Sequence, residues 1–112
     1  MRRALARGAE HFNRGEYFEA HEVWEESWTH APVRYRYFLQ GLIHFAVAFH
    51  HHSRGNMEGF EKQITKGRKR LAGYLPEFEG VATRELYEWV VELPYPLLTI
   101  SSANYFFAPA IG

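Results

Sequence analysis

The stretch Gly15-Glu-Tyr-Phe-Glu-Ala-His-Glu-Val-Trp-Glu-Glu-Ser-Trp28 decides the fold. It contains no proline and no internal glycine, so nothing in it interrupts a helix. At about 100° per residue, one side of this helix carries the aromatic residues together with one histidine and one carboxylate: Tyr17, Phe18, His21, Trp24, Glu25 and Trp28. The aromatic side is expected to be buried. Glu25 is then expected to need a hydrogen-bonding or charged partner, because an unpaired buried carboxylate is costly.

Turn residues on both sides of this stretch predict four further helices. Gly15 and Gly55 are helix stop signals, and Pro32, Pro76 and Pro94 mark further breaks. The predicted helices span residues 2–14, 17–30, 33–53, 57–74 and 81–92. Residues 94–112 are expected to form an ordered, irregular tail. We expect it to pack on the body of the protein, and the alternative is that it covers a neighbouring subunit. Helix 33–53 is apolar around most of its circumference, which is typical of a central helix.

The sequence therefore predicts an all-α, single-domain bundle of about five helices, built from two antiparallel helical hairpins. A weak internal repeat supports the hairpins, because Arg14-Gly15 and Arg54-Gly55 each separate two long helices. The first hairpin looks like a tetratricopeptide repeat in its spacing of small and aromatic residues. The second departs from that pattern because helix 33–53 is too long. A chain of 112 residues is sufficient for one such domain.

The composition excludes several classes of function. Thirteen basic residues balance thirteen acidic ones, which gives no electrostatic reason to expect nucleic acid or an anionic membrane as a partner. The absence of cysteine excludes disulfides, thiolate catalysis and cysteine-bound zinc. The N-terminal residues lack the apolar run of a signal peptide, and the longest apolar segment is too short to span a bilayer. We therefore expect a cytoplasmic protein.

Helix 33–53 carries a narrow polar stripe that could face His21 and Glu25. Its members recur at helical spacing: Arg36, Gln40, His44, Val47 and His51. Because a short connection joins this helix to helix 17–30, the two should pack antiparallel. His21, Glu25, His44 and His51 are then candidate metal ligands, since bundle sites use histidine and carboxylate donors on facing helices. A structural network, in which Arg36 or Gln40 satisfies Glu25, is the competing interpretation.

The stretch Phe12-Asn-Arg-Gly15-Glu-Tyr-Phe-Glu-Ala-His21-Glu-Val-Trp-Glu-Glu-Ser-Trp28 resembles the signature of a small helical family known as domain of unknown function 309. Phe38-Leu-Gln-Gly-Leu-Ile43 and Gly55-Asn56 fit the same family. The resemblance covers roughly residues 9–75 and implies an all-helical bundle found in bacteria and plastids. It also implies that six residues are motif positions: His21, Glu22, Glu25, Trp28, Gln40 and Asn56.

Two functional hypotheses follow. The first is a non-enzymatic binding or scaffold module that holds a protein partner, either another protein or a second copy in a homodimer. The alternative is a metal- or small-ligand-binding protein, or a small enzyme. The candidate ligand-binding residues of this alternative are His21, Glu22, Glu25, Trp28, Gln40 and His44. In an enzyme, Glu25 is the candidate general base and His21 its partner. No cofactor is predicted beyond a divalent metal in this alternative.

Overall fold

The computed structural model describes residues 2–89 and 96–100. Within these residues five α-helices follow one another, namely α1 (Arg2–Asn13), α2 (Tyr17–Trp28), α3 (Val33–Ser53), α4 (Met57–Leu71) and α5 (Thr83–Tyr87), and a short 3-10 helix spans Ala72–Tyr74. α1 packs on α2, and α3 packs between α2 and α4. The all-α, single-domain bundle predicted from the sequence is confirmed.

The two turns that close the helical hairpins share one backbone geometry. Gly15 and Gly55 have positive φ angles of 80° and 78°, a conformation that favours glycine because it has no Cβ. In each turn the glycine N–H donates to the carbonyl three residues back, and the next N–H donates to the carbonyl five residues back, at 2.8–3.1 Å. These paired bonds form the Schellman motif, which satisfies carbonyls that the helix end leaves free. Equivalent turns therefore join the two helices of each predicted hairpin.

The first hairpin is held together by one tryptophan. Trp24 on α2 is fully buried, and its Nε1–H donates to the Leu5 carbonyl on α1 at 3.4 Å. A Cβ on Gly8 would lie 2.0 Å from Trp24 Nε1, so only glycine at this position lets α1 approach the indole ring. The Phe12 ring packs against Trp24 and against Phe49 of α3, at centroid distances of 5.9 and 5.7 Å. Phe12 thereby links the first hairpin to the central helix.

α3 supplies the centre of the core. Its fully buried residues are Phe38, Leu39, Leu42, Phe45, Ala46, Ala48 and Phe49. The packing against α4 is close, since a Cβ on Gly67 would lie 2.9 Å from the Phe45 ring and one on Gly41 would lie 2.9 Å from Leu71 Cδ1. The opposite side of α3 lies at the surface between α2 and α4. That side carries the predicted polar stripe.

The C-terminal third differs most from the sequence prediction. α4 ends at Leu71 and not at residue 74, because the next three residues tighten into the 3-10 helix. α5 starts at Thr83 and not at residue 81, because Val81 exchanges backbone hydrogen bonds with Phe78 instead. It ends at Tyr87, before the predicted end at residue 92, because the described residues 88 and 89 already leave the helix; residues 90–92 fall outside the described residues. Smaller differences of one to two residues occur at the ends of α1 and α2.

One part of the predicted tail packs on the body of the protein. Leu98 is 3% exposed, and the Asn13 side chain brackets its backbone. Asn13 Nδ2 donates to the Leu98 carbonyl at 3.1 Å, and the Leu98 N–H donates to Asn13 Oδ1 at 2.7 Å. For residues 96–100 the tail therefore lies against the end of α1. The remainder of the prediction, for residues 94–95 and 101–112, falls outside the described residues.

Candidate functional site

The buried stripe of α2 is rotated relative to the sequence prediction. Tyr17, Ala20 and Trp24 are buried, whereas Phe18 is 50% exposed and the Glu25 side chain is 56% exposed. The prediction that Glu25 is buried and needs a buried partner is therefore wrong. The cause is that Trp24 packs into the space left by the missing Cβ of Gly8, which we call the Gly8 notch. This contact sets the rotation of α2 about its axis, and Glu25 then lies beside the buried side and not within it. Glu25 is a surface carboxylate.

His21 lies at the boundary between the core and the surface. Its side chain is 21% exposed, and its Nε2 is 3.6 Å from Glu25 Oε2, as the spacing of four residues predicts. The other ring nitrogen, Nδ1, is buried and has no hydrogen-bond partner among the described residues. His21 therefore points Nε2 toward the Glu25 carboxylate and holds Nδ1, which lacks a partner among the described residues, buried beneath the surface.

Trp28, Arg36 and Gln40 continue this boundary toward the start of α3. The Arg36 guanidinium stacks 4.3 Å above the Trp28 ring and donates to the Trp28 carbonyl at 3.4 Å. Within the described residues, Trp28 Nε1 and Gln40 Oε1 are buried and unpartnered. Together with His21 Nδ1, they are the three buried side-chain atoms in this part of the chain that lack a partner. A buried polar group without a partner costs about 1–3 kcal/mol, so each of these atoms requires an explanation.

His44 faces α4 and not α2. Its Nδ1 lies 2.7 Å from Gln63 Oε1, whereas the sequence placed His44 among the residues expected to meet Glu25. Burial lowers the pKa of His44 below its usual range, and the positive charges of Lys66 and Arg70 lower it further against the opposing effect of the Gln63 hydrogen bond. Sequence analysis missed Gln63. The available signal was a side-chain amide between the basic residues Lys62 and Lys66 of α4.

The three consecutive histidines at the end of α3 point in different directions, as their helical spacing predicts. His50 packs against Phe18 of α2 at 5.9 Å, and His52 packs against Phe60 of α4 at 5.0 Å. His51 Nδ1 is 3.3 Å from Asn56 Nδ2, and Asn56 Oδ1 accepts from the Gly59 N–H as the N-cap of α4. Burial, followed by the charges of Arg54 and His51, lowers the pKa of His50.

The predicted metal ligands do not gather around one point. His21 pairs with Glu25 along α2, His44 bonds to Gln63, and His51 belongs to the cap of α4. Among residues 2–89 and 96–100, no group of three or more histidine, aspartate or glutamate side chains is placed to hold a metal ion. The described arrangement offers a cation at most the two donors of the His21–Glu25 pair.

These residues define what we call the outer face: the surface side of α3 with the adjoining edges of α2 and α4. Its α3 residues are Val33, Arg36, Tyr37, Gln40, His44, Val47 and His51; its α2 residues are Phe18, His21, Glu22, Glu25 and Trp28; its α4 residues are Gly59, Gln63, Lys66 and Arg70. The α2 edge is acidic and the α4 edge is basic. Tyr37 of α3 contacts the basic edge of α4, because the Arg70 guanidinium stacks 4.5 Å from the centroid of its ring.

Residues 5–63, more than half of the chain, match the family described as "Domain of unknown function (DUF309)". The chain belongs to this family. The "Uncharacterized protein YpuF" of Bacillus subtilis (strain 168) is 45% identical to this DUF309 chain over 49 residues, which represent 42% of the chain and 28% of that relative. The chain thus spans less than a third of the length of the curated relative that it matches.

The six motif positions of the DUF309 resemblance divide into two groups. Five lie on the outer face, where α2 contributes the acidic edge and Trp28, and α3 contributes Gln40. The sixth, Asn56, caps α4. None of the described helices combines the length and the apolar character needed to cross a membrane. The site to be explained in this DUF309 chain is therefore the outer face.

Proposed function

We propose that this DUF309 chain is a non-enzymatic, cytoplasmic protein-binding module and that its docking surface is the outer face. The observation that carries the proposal is the position of the unpartnered buried polar atoms. His21 Nδ1, Trp28 Nε1 and Gln40 Oε1 all belong to the outer face, and they are the atoms of this kind among the described residues. These atoms are enclosed by the described residues, so a partner that covers the face can hydrogen-bond to them only when their side chains turn outward.

The exposed apolar side chains support the same surface. Five large apolar residues are exposed among the described residues, and three of them belong to the outer face, namely Phe18, Val33 and Tyr37. The face also presents two arginines already stacked on aromatic rings, Arg36 on Trp28 and Arg70 on Tyr37. Tryptophan, tyrosine and arginine are the residues most enriched among binding hot spots. Because these side chains are held by packing, little conformational entropy is lost when a partner binds.

The geometry of the His21–Glu25 pair favours binding over catalysis. A general base works best where its pKa is tuned by burial or charge and where water is excluded. The Glu25 carboxylate is instead more than half exposed, at the open edge of α2. The metal-binding alternative retains one supporting observation, the 3.6 Å approach of His21 Nε2 to Glu25 Oε2. Zinc titration of wild type and Glu25→Gln tests it, since a site built on this pair requires saturable binding that the variant loses.

Site-specific photo-cross-linking tests the proposal. Benzoylphenylalanine replaces Tyr37, which is 55% exposed on the outer face, and in a matched control it replaces Glu10, which is exposed on α1. We expect irradiation of cells that produce the full chain to yield defined protein adducts from position 37 and none from position 10. Adducts from position 37 should disappear when Arg36→Glu is added. Equal adduct patterns from both positions, or adducts from position 10 alone, would refute the proposal.

A further inference from the structure

The surface side of α3 has the residue spacing of a helix-pairing seam. Its members Val33, Tyr37, Gln40, His44, Val47 and His51 are separated by four, three, four, three and four residues. Positions at this spacing share one side of a helix, as do the residues along which two helices pack, and the apolar members of the set are Val33, Tyr37 and Val47. The core-facing side of α3 is filled separately by its phenylalanines and leucines. Within this seam Val33 and Tyr37 are exposed, whereas His44 and His51 also contact residues of the same chain.

The two edges beside this seam carry opposite charges. Glu22 and Glu25 are exposed on the α2 edge, and Lys66 and Arg70 lie on the α4 edge. Within residues 2–89 and 96–100, neither of the two basic residues forms an ion pair. A partner with uniform charge would be repelled by one edge. The face fits a partner that also carries one acidic and one basic edge, at the same spacing.

Contacts across α3 place the two edges at matching levels. Arg36–Trp28 and Phe18–His50 fix α2 against α3 and set Glu25 about one turn from Arg36. On the other side, His44–Gln63 and Tyr37–Arg70 fix α4 and set Lys66 between them. Both Glu25 and Lys66 therefore lie near the level of Gln40, on opposite sides of the seam.

We propose that the outer face binds the outer face of a second copy of this chain, about a two-fold axis parallel to α3. The two α3 helices then pack parallel and in register, and α2 of each copy lies over α4 of the other. This brings Glu25 of one copy to Lys66 of the second copy, twice. A two-fold axis perpendicular to α3 would instead make the two α3 helices antiparallel and place α2 of one copy on α2 of the other. The two acidic edges would then face each other, which their like charges disfavour.

The parallel arrangement also accounts for a polar residue in the middle of the seam. In register, Gln40 of one copy faces Gln40 of the second copy. An amide has both an acceptor oxygen and an N–H₂ donor group, so two Gln40 side chains that turn toward each other can satisfy each other. Such a turn would also release Gln40 Oε1 from the enclosed position in which it lacks a partner among the described residues. A single amide in such a seam is known to fix helix register. This inference rests on the proposed function and names the partner for the same face.

Single cysteines test the orientation, because the chain has none of its own. Tyr37→Cys lies on the seam away from its midpoint, so two such residues meet only if the α3 helices are parallel. Glu10→Cys on α1 is the matched control. We expect mild oxidation of the full chain to yield a disulfide-linked dimer from Tyr37→Cys and not from Glu10→Cys. Linkage from both, or from neither, overturns the parallel arrangement.

Charge reversal tests the pairing. Sedimentation equilibrium should find wild type dimeric, and Glu25→Lys or Lys66→Glu should weaken the dimer about tenfold or more. The double variant Glu25→Lys/Lys66→Glu should restore it, because each pair is then re-formed with its signs exchanged. Glu10→Lys should change nothing. Both sites are on the surface, so circular dichroism is expected to show native helix content in every variant.

The failures of the two proposals are distinguishable. A wild-type chain that stays monomeric, or a double variant that dimerises no better than the single ones, overturns the second-copy inference. The proposed function still stands in that case if position 37 cross-links to a protein of different mass. If position 37 gives no adduct that position 10 does not give, the docking surface itself is wrong.

Discussion

Replacement of Gly8 by alanine tests the packing that orients α2. In an exposed helix the change stabilises by about 1 kcal/mol, because alanine has the higher helix propensity. Here the new Cβ would lie 2.0 Å from Trp24 Nε1 and 2.3 Å from Cε2, far inside the contact distance of about 3.5 Å. The indole ring is fully buried and packs on Phe12, so it has no free space to move into.

The expected magnitude follows from these contacts. Overpacking of a filled core costs about 1–3 kcal/mol. Displacement of the indole also breaks the bond from Trp24 Nε1 to the Leu5 carbonyl, which contributes about 1 kcal/mol and offsets the gain in helix propensity. We therefore expect Gly8→Ala to lower the free energy of unfolding by about 1–3 kcal/mol.

Urea unfolding followed by tryptophan fluorescence and by circular dichroism measures this change. Gly73→Ala is the matched control, because no described residue lies within 4 Å of a Cβ at that position. We expect this change to be neutral or slightly stabilising. A Gly8→Ala variant as stable as wild type would refute the argument. α2 would then not be oriented by the Gly8 notch, and the assignment of Glu25 to the surface would lose its physical cause.

Three further predictions concern the outer face and its supports. Glu25→Gln should change the free energy of unfolding by no more than about 0.5 kcal/mol in urea titrations at low protein concentration, because the carboxylate is a surface group; a loss above 2 kcal/mol would indicate a buried network. Asn56→Ala should cost about 1 kcal/mol in the same assay, because it removes the cap on the Gly59 N–H, and a neutral result would contradict that role. His44 should titrate below its usual range in an NMR pH titration, and Lys66→Ala should raise its pKa. As the pH falls, the unfolded chain protonates His44 at a higher pH than the folded chain does. The contribution of His44 to the free energy of unfolding is therefore complete above about pH 6.5 and is lost as the pH falls toward the lowered pKa. A pKa above about 6.5 would contradict the burial of the ring.

The architecture followed from local signals in the sequence. Gly15 and Gly55 mark helix ends because the Schellman turn requires a positive φ, and this requirement depends only on the nearest residues. The apolar circumference of α3 likewise identified the central helix. Such features are set within one helix or one turn, so a single sequence contains them in full.

The rotation of each helix could not be obtained in this way. Phe18, Trp24 and Trp28 are all aromatic, and helical spacing alone gives no reason to bury Trp24 fully while Phe18 remains half exposed. The missing information was the notch at Gly8, on a different helix. A similar ambiguity of a few tens of degrees on α3 led to the expectation that His44 faces Glu25, when it bonds to Gln63.

Contacts between distant parts of the chain were also beyond the sequence. The side chain of Asn13, at the end of α1, holds the backbone of Leu98, 85 positions later. Nothing in the periodicity of either segment indicates that pairing. The three atoms of the outer face that lack a partner among the described residues are of the same kind, because they are recognised only from the packing of several helices.

Photo-cross-linking from position 37, with position 10 as control, tests the central claim most directly. We predict a defined adduct from position 37, with twice the 13.2 kDa mass of the chain, and no adduct from position 10. An adduct of another mass from position 37 would keep the docking surface and replace the second copy by a different protein. Adducts from position 10 without any from position 37 would contradict the assignment of the outer face as the docking surface.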